Sequence, residues 1–522
     1  MSRWARVHMA PVVESEAVKL LNLVRRLGAH TLSGHPTADI TSLSYDSRLT
    51  APGALFFCVP GLKRDGHEFA GDAVARGAVA LCVQRPLDVA VPQVVVADVR
   101  AAMAVLARYF YGDPSRQLRV AGVTGTNGKT TTAYLTAWLL EHAEIQTGLL
   151  GTVERIIGGR HLPAERTTPE ALDLQQDLAA MVAEGDRATV MEVSSHALEL
   201  GRVDGILFRV VAFTNLTQDH LDFHGSFEAY RRAKLRLFAD DVFSCYTPPA
   251  VINLDDPMGG EIARQIASDR LLTFAVEHGH AEPGVADLEL TGLNLTAGGI
   301  DGTLMVRGRA LRGQVGVLEM PLAVPLLGRF NASNVLTALG MGLGLGLTLE
   351  DMLEAVRHFP GVPGRMQQVD AGQPFTVLVD YAHTPDSVEN VLRTARAVTT
   401  GRVIALLGCG GDRDRTKRPK MGRALADGCD VPIVTSDNPR TEDPRAIIEE
   451  ILGGLSCPEE ALVEVDRRQA IKKAISCAEA GDLVLILGKG HESGQEIADR
   501  KIPFNDFQVA LSLLHERGWG RG

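Results

Sequence analysis

Cysteine is scarce in this chain: seven residues in 522, an odd number, with no CxxC pair and no zinc-type spacing among Cys58, Cys82, Cys245, Cys409, Cys429, Cys457 and Cys477. A disulfide-stapled scaffold and a cysteine-ligated zinc site are thereby excluded, and the thiols are expected to be reduced and mostly to fill core space. Long apolar runs are also missing; none reaches the ~18 residues of a membrane span. Charges interrupt the opening MSRWARVHMAPVVESEAVKLL, so no secretory segment is expected and the protein reads as cytoplasmic. Nor is there an excess of positive charge. With 53 Lys and Arg against 64 Asp and Glu the net charge is −11, which argues against nucleic acid or anionic lipid as a partner. Any phosphate-bearing ligand must then be held by a local site.

What is present is the balance of a folded globular protein, 45% hydrophobic and 22% charged residues. At about 100–200 residues per domain, the length predicts three domains. Residues 17–27 put Ala17, Leu20, Leu21, Val24 and Leu27 on one helical stripe, and SLSYDSR and ALFFCVPG read as strands around a Pro/Gly turn. Turn formers at Tyr111–Ser115 close this first small α/β unit, 1–115. From LRVAGV (118–123) onward, short apolar runs alternate with helical stretches, the look of a mostly parallel sheet. Residues about 285–325 alternate instead with Gly-rich turns, a small β annex before a helix at Asn331–Leu345. The break at His358–Gly364 ends the central unit, 116–358. Beyond it, in 359–522, TVLVDYA, RVIALLG, VPIVTSD and DLVLILG read as buried parallel strands of a Rossmann-like unit without the GxGxxG fingerprint. The expected fold is α/β throughout.

The strongest signal is Gly122-Val123-Thr124-Gly125-Thr126-Asn127-Gly128-Lys129-Thr130-Thr131, which follows a strand and precedes the helix-like AYLTAWLLEHA. Glycines let backbone N–H groups turn toward an anion, and the helix N-terminus adds partial positive charge. Lys129 is placed to neutralise the β/γ-phosphates and the Thr130 hydroxyl to sit on Mg²⁺. Val123 stands where a strict GxxxxGK[ST] pattern has its first glycine, so the loop is a variant. TGTNGKT resembles the loop of the Mur ligase superfamily, ATP-dependent enzymes that add amino acids to the peptidoglycan precursor and whose relatives include folylpolyglutamate synthases. That family's plan is a UDP-sugar-binding domain, a central ATPase and a closing C-terminal domain.

The resemblance extends along the chain. Glu192 in MEVSSHALELGR and His220 in FTNLTQDHLDFHG match the family's Mg²⁺-binding glutamate and histidine; carboxylates at strand ends beside a phosphate loop suit that ion, although Asp219, Asp222 and His224 compete for the role. AKLRLF resembles the family's helix in which a lysine is carbamylated to hold a second Mg²⁺, which implies that role for Lys234. Asn253-Leu254-Asp255-Asp256 matches a turn beside the adenine, and is also a plain Asx-turn pattern. The implied ATP site is Gly125, Thr126, Asn127, Gly128, Lys129, Thr130, Thr131, Asn253 and Asp380.

Asp380–Asp386, Gly408–Asp414 and Gly488–Glu492 look like the C-terminal domain of the family's third-step branch. There, Asp437-Asn438-Pro439-Arg440 marks addition of meso-diaminopimelate. A guanidinium fork reads a carboxylate in a bidentate way, and Arg440 supplies one, though on its own the segment is an ordinary Asn-Pro turn. Arg413, Gly488 and Glu492 are implied to line the same pocket, with Glu492 pairing an ammonium group. Tyr45–Arg48, including Ser47, and Gly61–Gly66 fall where the family binds UDP. Thr167, Thr168, Ser194 and Arg202 match residues that hold the muramoyl dipeptide, whereas Arg166 and Leu200 depart from the family pattern. The resemblance thus implies a monomeric ligase acting on ATP, UDP-N-acetylmuramoyl-L-alanyl-D-glutamate and meso-diaminopimelate, the alternatives being the same step with lysine or another diamino acid and, more remotely, a folylpolyglutamate synthase.

Overall fold

The computed structural model describes residues 17–61, 64–239, 247–277, 284–296, 298–311, 316–498 and 500–520. Cys245, the Leu62–Lys63 pair of the Gly61–Gly66 motif and the charge-interrupted N-terminal stretch through residue 16 lie outside them. Three main sheets follow one another along the chain, and the class is α/β as expected. Among the described residues no helix is long and apolar enough to cross a membrane.

The first sheet has the spatial order His30–Ser33, Gln93–Val96, Ala78–Val83, Ala54–Phe57, Ser42–Ser44. Only its first pair is antiparallel. The helix expected over 17–27 is confined to Leu20–Val24, because Val18 and Lys19 are extended and pair with Ile40 and Asp39. This unit docks on the next through helix Val99–Phe110, whose core takes in Ala171 and Leu172 of helix Ala171–Ala183.

The central sheet contains β1 (Arg119–Thr124), β2 (Thr147–Leu150), β3 (Ala188–Glu192), β4 (Phe208–Phe213), β5 (Ala250–Asn253), β6 (Leu271–Val276), β7 (Leu288–Thr296), β8 (Gly299–Val306) and β9 (Leu318–Val324). Their order is β2-β3-β1-β4-β5-β6-β7-β8-β9, with a hairpin, Glu154–Ile157 and Arg160–Pro163, beyond β2. Strands β2 to β7 run parallel. The annex expected near 285–325 is not separate: β7 pairs with β6, and β8 and β9 continue the same sheet antiparallel. Alternate residues of single strands feed different cores. Ala121, Val123, Val190 and Val210 face α1 (Lys129–His142) and α3 (Arg329–Leu345), while Val120, Met191, Val211 and Phe213 face the opposite layer. Burial on both faces is why these strands read as unbroken apolar runs rather than alternating ones.

The third sheet places β10 (Thr376–Asp380), β13 (Leu483–Leu487), β11 (Val403–Leu407) and β12 (Val431–Thr435) side by side and parallel. Four motif loops therefore leave the carboxyl ends of four neighbouring strands, where α/β folds hold ligands.

Candidate active site

Strand β1 lies between β3 and β4: the chain runs from β1 through α1 to β2 on one side, and later crosses from β3 over β1 to β4 on the other, which opens a crevice at the carboxyl end of β1. The phosphate loop occupies that crevice. Gly128 opens α1 at φ 87°, and a Cβ there would stand 2.2 Å from Asn334 Oδ1; one at Gly125 would stand 1.9 Å from Thr214 Oγ1. Only glycine fits either position. The N–H groups of Thr126 and Asn127 are tied to Asn215, at 2.8 and 2.9 Å. Those of the first turn of α1, which have no intrahelical acceptor, belong to residues lining a cavity of about 1500 Å³ including its open mouth. Lys129 Nζ folds back onto the carbonyls of Gly125 and Thr126, both at 2.9 Å. Burial lowers its pKa against the pull of Glu192 and Asp219.

Glu192 ends β3 almost fully buried, 1% exposed. Its Oε2 accepts from the hydroxyls of Thr130 (3.0 Å) and Thr152 (3.1 Å), and its Oε1 from Thr152 N (2.8 Å). Among the described residues no three His, Cys, Asp or Glu side chains cluster closely enough to cage a metal. Nucleotide-borne Mg²⁺ needs no such cage, since it takes one or two carboxylates plus substrate phosphates and water. A buried carboxylate touching the Thr130 hydroxyl beside a phosphate loop fits that donor set.

Lys234, on α2 (Phe227–Leu235), is 1% exposed and donates to Gly125 O at 2.7 Å, the carbonyl that Lys129 also uses. Burial first, and then the charge of Lys129, pushes its pKa well below the ordinary lysine value. His220 begins helix Leu221–His224 at φ 52°, its Nε2 3.4 Å from Asp219. Burial lowers it to about 4. Asp222 and His224 line no part of the cavity, whereas Asp219 does. Burial would raise Asp219, but His220 and Lys417 bring it down to about 2.

Asp380 and Asn253 line the cavity with their polar atoms committed to backbone. Asp380 accepts from Met366 N (2.7 Å) and Ala382 N (2.8 Å), and Asn253 bridges Thr214 O (2.7 Å) and Asp255 N (3.0 Å). Thr167 and Ser194 also line it, Thr168 Oγ1 supports Glu192 O at 2.8 Å, and Arg202 pairs with Glu170 at 2.8 Å. Arg166 reaches the same Glu170 at 3.3 Å, and Leu200 caps helix Ser195–Glu199. Ser47 lies apart from this cavity, in the first unit, on a single turn capped by Asp46.

The loops after β12 and β13 form a second cluster. Asn438 Nδ2 donates to Glu492 Oε2 at 2.8 Å, and Gly488 allows close approach, since a Cβ there would stand 2.5 Å from Asp437 Oδ2. Arg440, at φ 51°, donates through Nη1 to Gly411 O and through Nε to Glu496, both at 2.8 Å. It is held between two loops, 25% exposed, rather than extended into solvent. Pro439 packs its carbonyl against Gly411, and Arg413 is exposed at the rim.

Comparison with known proteins matches this layout segment by segment: a Mur ligase family catalytic domain at 39–111, a Mur ligase middle domain at 123–342 and a Mur ligase glutamate ligase domain at 364–490. Over 96% of its length the chain is 45% identical to the UDP-N-acetylmuramoyl-L-alanyl-D-glutamate–2,6-diaminopimelate ligase of Geobacillus thermodenitrificans, covering all of that protein. The chain belongs to the Mur ligase family. A protein of the same description from Thermosynechococcus vestitus is 46% identical, over 92% of this chain and 95% of its own. A solved structure, also described as a 2,6-diaminopimelate ligase, superposes with a TM-score of 0.67 at 33% identity, over 96% of this chain and 99% of that one. MurF from Acinetobacter baumannii, at 20% identity and a TM-score of 0.63 over 91% and 96%, shares the Mur ligase fold.

Sequence reading missed several residues of this Mur ligase cavity. Arg365 reaches Thr130 Oγ1 at 3.3 Å and stacks over Tyr381, 4.7 Å from the ring centroid. Asn331 and Asn334 of α3, bonded to each other at 2.8 Å, line the cavity together with His383. The Pro-Gly break before Arg365 was visible; its approach to a loop 235 residues away was not.

Proposed function

We propose that this Mur ligase joins meso-2,6-diaminopimelate to the γ-carboxylate of D-glutamate in UDP-N-acetylmuramoyl-L-alanyl-D-glutamate at the expense of ATP, a step of peptidoglycan precursor synthesis. The three units are assigned to the UDP-dipeptide (1–115), ATP (116–358) and the amino acid (359–522). The observation that carries the reading is a linked set on the loops after β12 and β13: Asn438 donates to Glu492 and accepts from the N–H of Glu496, and Arg440 of the same loop pairs with the Glu496 carboxylate. Such a set offers a guanidinium to one carboxylate and a carboxylate to one ammonium, and the carboxylate is the group that the far end of diaminopimelate has and that of lysine lacks.

A carboxylate is a poor acyl donor because its leaving group would be oxide. Transfer of the γ-phosphoryl group of ATP to it forms an acyl phosphate; the amine of diaminopimelate then attacks the carbonyl carbon, and phosphate leaves from the tetrahedral intermediate. The protein's part is positioning and charge neutralisation. Lys129 and the first-turn N–H groups of α1 hold the phosphates, with Asn253 and Asp380 shaping the nucleotide's surroundings. Thr167, Thr168, Ser194 and Arg202 orient the dipeptide, with Ser47 on the UDP side. Thr130, Glu192, His220 and Lys234 as its carbamate are assigned to Mg²⁺, which when bound neutralises charge on the phosphoryl oxygens. Burial favours the uncharged form of the Lys234 amine, which is the form that adds CO₂; this supports the Lys234 assignment.

Purified protein supplied with ATP, the UDP-dipeptide and either diaminopimelate or lysine should release phosphate with the former. Turnover of lysine above that of diaminopimelate would overturn the specificity.

A further inference from the structure

Behind the Asn438–Glu492 contact lies a lysine that none of the roles above uses. Lys489 has a side chain 0% exposed, and its Nζ donates to Asn438 Oδ1 at 2.8 Å and to Glu492 Oε2 at 2.7 Å. We propose that Lys489 is a positioning residue for amino-acid selection, holding Asn438 and Glu492 in register so that Glu492 receives the distal ammonium of the diamino diacid. The proposal rests on the specificity reading above and deepens it.

An ammonium has donors only. Lys489 therefore fixes which way the Asn438 amide turns: Oδ1 must face Nζ, and it also accepts Glu496 N at 2.9 Å. The amide nitrogen is left facing Glu492 Oε2. Two donors, Lys489 Nζ and Asn438 Nδ2, thus converge on one carboxylate oxygen, while Oε1 takes part in neither bond. Glu492 is 29% exposed and Lys489 wholly covered, so the cation lies on the protein side of the carboxylate and the open side is left for a ligand. Because Lys489 comes from the loop after β13 and Asn438 from the loop after β12, the contact also sets the spacing of the two loops. Charge-assisted bonds of this kind are short and directional, and they lose most when one partner is removed from a buried site.

The test uses the whole enzyme with meso-diaminopimelate and with 2-aminopimelate, which has the same chain and both carboxylates but lacks the distal amine. Wild-type enzyme should prefer diaminopimelate in kcat/KM by roughly tenfold or more, the scale of a hydrogen bond between charged groups. In Lys489→Met the preference should fall below about threefold through KM for the amino acid, with KM for ATP and for the UDP-dipeptide within about twofold. A structural role alone would depress both amino acids equally, and an unchanged ratio in Lys489→Met overturns the proposal whatever happens to absolute activity. Should that variant not fold, Lys489→Gln reads the same ratio: a several-fold loss of preference is expected, and retention overturns the idea. Wild-type enzyme that used lysine in place of diaminopimelate would defeat the specificity reading itself; a wild-type preference that survives in the variants would defeat only the role of Lys489.

Discussion

Two residues show how local backbone and local charge fix the site. Gly128 is needed twice over, for its φ of 87° and because a Cβ would collide with Asn334 Oδ1 at 2.2 Å. Gly128→Ala is expected to destabilise the protein by ~1–3 kcal/mol through backbone strain and to abolish ADP binding. Denaturant unfolding and an ADP titration measure the two effects. Adding Asn334→Ala should relieve the collision and leave the strain. Asp437 carries the charge argument. Burial raises its carboxyl to about 6 even though Arg467 and Lys489 pull it down. Its folded-state value exceeds the unfolded one, so folding takes up a proton between about pH 4 and 6. This group therefore favours the folded state most at low pH, and that contribution is lost as pH rises through about 6. Asp437→Asn should accordingly gain stability relative to wild type between pH 4 and pH 8, by up to ~3 kcal/mol, measured by urea unfolding at both values.

At the scale of elements, the two loops proposed to hold the amino acid are stapled from below by a buried ion pair. Arg467, at the start of helix Arg467–Cys477, donates to Asp506 at 2.8 and 2.7 Å, to Leu487 O at 2.9 Å and to Ser436 O at 3.3 Å. It thus joins the carboxyl ends of β12 and β13. Both side chains are 0% exposed, and breaking a buried pair from one side leaves an uncompensated charge. Asp506→Asn should cost ~3–5 kcal/mol in unfolding free energy and raise KM for the amino acid more than KM for ATP. Chemical denaturation and initial-rate kinetics check the two parts. None of this was legible beforehand. DRRQAIKK and PFNDFQ carry no mark of the pair, because sequence spacing does not reveal a partner 39 residues away. The strands that carry the motifs were legible, since burial on both faces leaves long apolar runs, and so was the phosphate loop, whose glycines answer a backbone requirement. The annex was legible as β structure but not as a continuation of the central sheet, because edge pairing between β6 and β7 leaves no compositional trace.

Across the whole molecule, the cavity is closed by contacts between the central and C-terminal units. Lys417 Nζ meets Asp219 Oδ1 at 3.0 Å, Asn127 Nδ2 meets Asp386 Oδ2 at 3.1 Å, and Arg365 meets Thr130 Oγ1 at 3.3 Å. Each links the phosphate loop or Asp219 to the opposite wall, so any opening of the cleft would have to break all three contacts. The first two contacts lie partly open to solvent, where a polar or ionic pair contributes about 0.5–1 kcal/mol. Removing both, as Lys417→Ala with Asp386→Ala, should shift the balance between closed and open forms by about 1–2 kcal/mol, roughly a five- to thirtyfold change in population. Neither side chain belongs to the proposed chemical machinery. The double variant should therefore show a larger radius of gyration in solution scattering and a higher KM for ATP, with kcat recovering at saturating substrate. Added salt should move the wild-type protein in the same direction, because screening weakens the Lys417–Asp219 pair. A scattering profile and KM identical to wild type would mean that the apolar contacts and Arg365 alone hold the units together.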